Sequence, residues 1–253
     1  MSLDGLLLII MVIFESIVIL FLIIFQSIFG IGLLVFGTPT LMILGYQYAD
    51  ILSVLLPVSC SISLIQIITA QRHDVRNFTI EFIKFSLPGI IIFLPIVLLF
   101  ISNSYLNFLI AIIMIILALI STFKFKIEKF KKFNSKKIIL FFIGSIHGIS
   151  NLGGGFISIF SSKYFYGNKF KVRKAIAIAY LLFGITQILV LNFINVFVIN
   201  KYILYYIIFA LLSFYISNLV FKKINFINYS RALYSIVLIY GLVYIYLSLF
   251  NLY

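Results

Sequence analysis

The chain is organised by long unbroken apolar runs, with little of the two-residue alternation of strands or the striped periodicity of surface helices. They extend over about Gly5–Leu44, Ala49–Ala70, Ile80–Ile101, Tyr105–Phe123, Ile138–Phe165, Val172–Phe193, Tyr202–Val220 and Ala232–Phe250. Most are near the ~20 residues that carry a helix across a bilayer. The first, at roughly 40 residues and ~1.5 Å of rise each, is too long for one crossing, so part of it must turn back or leave the core. The fifth contains "HGISNLGGGF", His147 to Phe156, which sets His, Ser, Asn and three successive glycines inside an apolar run. At membrane depth each unpaired backbone group costs several kcal/mol, so such an interruption calls for a function.

Composition agrees with this pattern. Of 253 residues, 64% are hydrophobic and 10% charged, and the mean hydropathy is +1.26. The reading is an all-α polytopic membrane protein with about eight membrane segments. The first apolar run has no basic residue before it and outlasts the core of a signal peptide, so no cleaved signal is expected. The net charge of +13 would point to nucleic acid in a soluble protein. Here it is read as loop charge that sets topology, and no nucleic-acid partner is expected. A single cysteine, Cys60, excludes an internal disulfide and thiolate metal clusters. HExxH is absent, as are a P-loop and a GxSG turn, so no metal, cofactor or intramembrane protease is expected.

The basic segment "KFKIEKFKKFNSKK", Lys124 to Lys137, divides the single transmembrane domain into repeat 1 (about 1–123) and repeat 2 (about 138–253). "SIFGIG" at Ser27 resembles "SIHGIS" at Ser145, an offset of 118, which also carries Gly37 onto Gly155. "SLIQI" at Ser63 resembles "GITQI" at Gly184 with three more residues of shift, pairing Gln66 with Gln187. Each half then has a glycine-broken segment, a span with Gln near its end, and two plain spans.

"FGIGLLVFGTPTLMILGY" (Phe29 to Tyr46) and "GSIHGISNLGGGF" (Gly144 to Phe156) resemble the paired glycine-rich motifs of the TauE/SafE family, the sulfite-exporter-type permeases. The resemblance spans nearly the whole chain. It departs at details: the first copy has Pro39 without a triple glycine, and the second has Gly153 to Gly155 with Ile157 in place of the proline. The resemblance implies a transporter of small sulfur-containing anions or organosulfonates.

Charge decides the expected topology. Eight simple crossings would spread Lys and Arg almost evenly over the two sides. If both glycine-broken segments are re-entrant hairpins, the loop Lys and Arg gather on one side, with only Lys201 on the other beside Asp4 and Asp50. The positive-inside rule prefers the second arrangement. Each half then has one hairpin and three spans, so the halves are inverted, and the location is a prokaryotic cytoplasmic membrane.

The expected chemistry follows. A helix that restarts inside the membrane offers free N–H groups and a partial positive charge, which suits an anion. The candidate substrate site comprises Gly30, Gly32, Gly37, Thr38 and Pro39 from the first copy, and Ser150, Asn151, Gly153, Gly154 and Gly155 from the second. His147, Gln66 and Gln187 complete it. His147 and Glu15, embedded titratable groups, are the candidates for proton coupling. Against these readings stand plain ones: glycines that allow tight helix packing, and polar side chains that only bond between helices. The function expected is a secondary permease for a small anion working by alternating access in the lipid bilayer. An anion channel or a non-transporting membrane partner is the alternative, with an intramembrane enzyme behind both.

Overall fold

The computed structural model describes residues 3–70, 73–122 and 133–229, with isolated helical positions between 231 and 246. Most of the basic linker and much of the last apolar run lie outside the described residues. Among the described residues the regular elements are helices: α1 Leu3–Phe29, α2 Leu33–Ile43, α3 Tyr48–Thr69, α4 Arg76–Phe85, α5 Leu87–Phe100, α6 Asn103–Thr122, α7 Phe133–Ser150, α8 Gly153–Tyr164, α9 Lys169–Phe193 and α10 Ile203–Lys223. Helices α4 and α5 run together over Arg76–Phe100, jointed at Ser86, because Pro88 lacks the N–H that would continue the ladder. That run, α3, Asn103–Ile120 of α6, α9 and α10 are each long and apolar enough to cross a membrane. The chain is an all-helical polytopic membrane protein.

Both interrupted runs turn back sharply. Along one helix, residues ten apart are separated by ~15 Å. Yet a Cβ built on Gly32 would lie 3.5 Å from the carbonyl of Leu22, and one on Gly153 would lie 2.5 Å from that of Ile143. Each return arm is short, 11 residues in α2 and 12 in α8, or roughly 16–18 Å of rise against a ~30 Å hydrocarbon core.

The residue that turns the chain is not the one the motif advertises. In the first run Gly30, at φ 82°, ends α1 and its N–H donates to Gln26 O at 2.7 Å. In the second, Asn151 does the same at φ 65°, donating to His147 O at 2.9 Å. Both are left-handed C-terminal caps, for which Gly is preferred and Asn tolerated. The triple glycine instead opens α8. Gly37, Thr38 and Pro39, expected in the first breaker region, lie inside α2 beyond the turn.

The turns also set the spacing. Gly30 and Asn151 are 121 residues apart, as are the ends of α1 and α7, the ends of α2 and α8, and the starts of α3 and α9. The sequence match at 118 places Gly30 against Gly148, which lies within α7. Similar apolar strings do not fix a turn; the left-handed residue does. At 121, Gln26 pairs with His147, Ser59 with Tyr180, and Gln66 with Gln187.

Small residues let the helices around the turns cross closely, as in many membrane bundles. On the α5–α7 crossing, a Cβ on Gly144 would be 1.8 Å from Ser86 O, and one on Gly89 would be 2.5 Å from Ser145 N. Where α3 meets α9, a Cβ on Gly184 would lie 2.3 Å from Cys60 Sγ.

Candidate functional site

At the second turn, Ser150 finishes the end of α7. Its hydroxyl donates to Ile146 O at 2.8 Å and accepts from Leu152 N at 3.3 Å. One turn back, His147 lies flat on Phe183, ring centroids 3.8 Å apart, with Nε2 3.1 Å from Gln187 Oε1. An amide oxygen only accepts, so Nε2 carries the proton, and Nδ1 of the neutral ring is an acceptor that becomes a donor on protonation. Asn151 reaches across to α2, its Nδ2 donating to Thr38 Oγ1 at 2.8 Å.

The three glycines face three different neighbours. A Cβ on Gly153 would meet His147, on Gly154 the Tyr180 hydroxyl at 1.9 Å, and on Gly155 the Leu117 side chain at 2.5 Å. Tyr180, which the sequence reading missed, therefore stands between the two turns. Its hydroxyl faces Gly154 on one side and points toward the Gly32 backbone on the other, without completing a hydrogen bond. The broken segments thus meet, through Thr38 and Asn151 and through Tyr180.

His147, Asn151, Tyr180 and Gln187 are fully buried. Each keeps a polar atom with no partner: His147 Nδ1, Asn151 Oδ1, Tyr180 OH and Gln187 Nε2. Gly153 and Gly154 add backbone N–H groups at the head of α8, where no preceding turn supplies acceptors. An unbonded buried polar group costs about 1–3 kcal/mol, so a cluster of four is an arrangement that a polar ligand would relieve.

The first turn is built differently. Gln26 Nε2 donates to Ser59 Oγ at 2.8 Å and Ser59 O at 3.2 Å, while its Oε1 accepts from Leu33 N at 3.2 Å. Gln66 caps α1, donating to Gln26 O at 2.9 Å and Ser27 O at 3.2 Å. Arg173 Nη2 also donates to Ser27 O, at 2.5 Å, and the Tyr229 hydroxyl to Phe29 O at 2.7 Å. Gln66 and Gln187 therefore bond at separate turns and share no hydrogen-bond partner. Of the first-copy candidates only Thr38 touches the second turn directly. Gly37 packs on Leu55, and Phe36 O, beside Pro39, accepts the Tyr240 hydroxyl at 2.7 Å.

Glu15 lies apart from both turns. It lines a half-open cavity of about 250 Å³ with Tyr46, Asp50, Ser53 and Asn200, and the Tyr46 hydroxyl donates to its Oε2 at 2.6 Å.

The missed residues had a signal in the correct register: Ser59 leads to Tyr180 at 121, and Gln26 to His147. Arg173 was hidden among the loop cations that follow Lys163.

Among the described residues no group of three His, Cys, Asp or Glu side chains is placed to hold a metal. Interrupted helices that bury polar groups are a device of polytopic membrane transporters and channels. The family is then given by comparison: residues 16–245 match the model for Sulfite exporter TauE/SafE, and the chain belongs to that family. No curated protein and no solved structure matches the chain.

Proposed function

We propose that the protein is a secondary carrier for a small sulfur oxyanion, sulfite or a near relative such as thiosulfate or a sulfonate. It works by alternating access in the cytoplasmic membrane of a prokaryote. The observation that carries this reading is the set of unpartnered polar atoms on His147, Asn151, Tyr180 and Gln187 where the two broken segments meet. Gln187 Nε2, the Tyr180 hydroxyl and the first amides of α8 supply donors to oxyanion oxygens, with the positive end of the α8 dipole behind them. A protonated His147 would add a charge-assisted donor at Nδ1.

The constant 121-residue spacing and the two short return arms support an inverted repeat with re-entrant hairpins. α1 and α7 enter from opposite sides and bring their turns together near the midplane. Rocking of one half against the other would alternately expose the cluster, which is closed to both sides in this conformation. Glu15, which accepts from the Tyr46 hydroxyl in the half-open cavity, is the residue assigned here to proton coupling.

Two experiments test the reading. Flux into proteoliposomes with sulfite, thiosulfate and a sulfonate should be saturable and show counterflow. Linear, non-saturating flux would replace the carrier with a channel. Cysteines introduced as Asn134→Cys and Asn168→Cys should label from the same side of the membrane. Labelling from opposite sides would remove the hairpin from the second half.

A further inference from the structure

We propose that Arg173 and Gln66 form an anion subsite at the first turn, distinct from the His147 cluster. The transport reading bears on this only for the choice of oxyanion. Arg173 sits in the second turn of α9 and is 7% exposed. Its contacts are Ser27 O, Asn218 Oδ1 at 2.8 Å, and the rings of Phe221 and Phe214, whose centroids lie 4.1 and 5.6 Å from Cζ. None of these groups is an anion, and among the described residues no carboxylate reaches the guanidinium. Its Nε, also buried, has no partner.

A buried cation without a counter-charge carries a desolvation cost of several kcal/mol. Helix capping alone does not account for choosing arginine. Lys169, one turn earlier and less buried, caps the carbonyls of Phe221 and Lys222 at the end of α10 with a simple ammonium. Arginine adds a planar fork of donors that matches an oxyanion.

The local geometry fits that use. Gln66 Nε2 and Arg173 Nη2 converge on one acceptor, Ser27 O, at the negative end of the α1 dipole. A carbonyl oxygen thus holds two donors that an oxyanion oxygen would take over. Ser27 Oγ and, one helical turn before Gln66, Ser63 Oγ are buried without partners. Gly30 takes the left-handed φ of the turn here, with Ile176 Cγ2 3.3 Å and Arg173 Cγ 3.7 Å from where a Cβ would stand. Movement of the first hairpin would free Ser27 O from both donors and present them to the anion. Because Arg173 lies among the basic loops, this subsite serves the side opposite Glu15.

The test uses the purified full chain in detergent. Its melting temperature is followed in sodium sulfite, thiosulfate or sulfate against sodium gluconate at equal ionic strength. At least one oxyanion should stabilise the wild type saturably. Arg173→Gln should raise the half-saturating concentration tenfold or more, and Lys169→Gln should leave it within twofold. Arg173→Lys, which keeps the charge but not the fork, should fall between them. If Arg173→Gln does not purify, Arg173→Lys decides alone. A wild type indifferent to all three oxyanions, or Arg173 variants within twofold of it, would overturn the subsite. Oxyanion binding through Arg173 without flux in proteoliposomes would instead refute the transport reading and leave the subsite standing.

Discussion

The two turns share one backbone solution and differ in what their side chains leave unbonded. Each ends its helix with a left-handed residue, starts a short return arm two or three residues later, and packs against α3 or α9. At the first, Gln26 is bonded at both ends of its amide, and Ser59 is one of its partners. At the equivalent positions of the second, His147 uses one ring nitrogen and the Tyr180 hydroxyl has no partner. The first turn bonds Gln26 fully with neutral partners and leaves its unpartnered atoms around the Arg173 cation, on Ser27, Ser63, Gln66 and Arg173 itself. The other leaves unpartnered donors and acceptors around Asn151, with no cation among them. Two turns of the same backbone form thus differ in where their unpartnered polar atoms lie, and on the proposed reading only the second seats the transported anion.

The sharpest way to break this comparison is at Gly154. Its Cβ position overlaps the Tyr180 hydroxyl at 1.9 Å, so Gly154→Leu should abolish flux and reduce the yield of folded protein. Gly154→Ala alone should cost about 1–3 kcal/mol through overpacking. Gly154→Ala combined with Tyr180→Ala should recover the melting temperature without recovering flux. Recovery of both would make Tyr180 a packing residue only.

Next comes the pair Tyr180 and Ser59. Tyr180→Phe removes an unpartnered buried hydroxyl, so it should leave stability unchanged or raise it by about 1 kcal/mol while weakening substrate affinity. Ser59→Ala should lower stability by about 1 kcal/mol, because Gln26 loses a bond, and leave affinity alone. Melting curves and flux on the two variants separate the cases; a swap of the two outcomes would reverse the assignment of the turns.

The glutamines give a smaller and additive effect. Gln187→Ala should act on affinity. Gln66→Ala should lower stability by roughly 1–2 kcal/mol by uncapping α1, and weaken oxyanion binding only at the Arg173 subsite. Because they share no hydrogen-bond partner, the double change should add within about 0.5 kcal/mol in melting free energy. Strong coupling would mean that the two turns touch one group after all. Smallest is Thr38→Val, which frees Asn151 from α2 and should slow flux severalfold with little change in stability; an unchanged rate would show that the Thr38–Asn151 contact does not link the hairpins.

Much of the fold was legible because the membrane forces it into the sequence. The apolar runs, the excess length of the first, and the polar interruption at His147 gave the helices and both breaks. The exact turns were not legible, since the αL residue of the second is Asn151 and the triple glycine beside it draws the eye. Three residues of register then hid Tyr180, which looks like any aromatic in an apolar run. Arg173 was counted as loop charge because burial of a cation near a helix start leaves no mark on the pattern of apolar positions. Gln66 was assigned to the cavity by its match to Gln187, whereas its partner is set by tertiary packing: the carbonyls of Gln26 and Ser27, about 40 positions away.

The central claim is that the polar cluster at the second turn seats the transported anion, whereas the Gln26–Ser59 bonding at the first holds the structure. Equilibrium binding of radiolabelled sulfite to the purified wild type, Tyr180→Phe and Ser59→Ala tests it most directly. Saturable binding is expected for the wild type, with a loss of tenfold or more in Tyr180→Phe and an affinity within twofold of wild type in Ser59→Ala. Equal affinities in all three proteins, or a loss confined to Ser59→Ala, would contradict it.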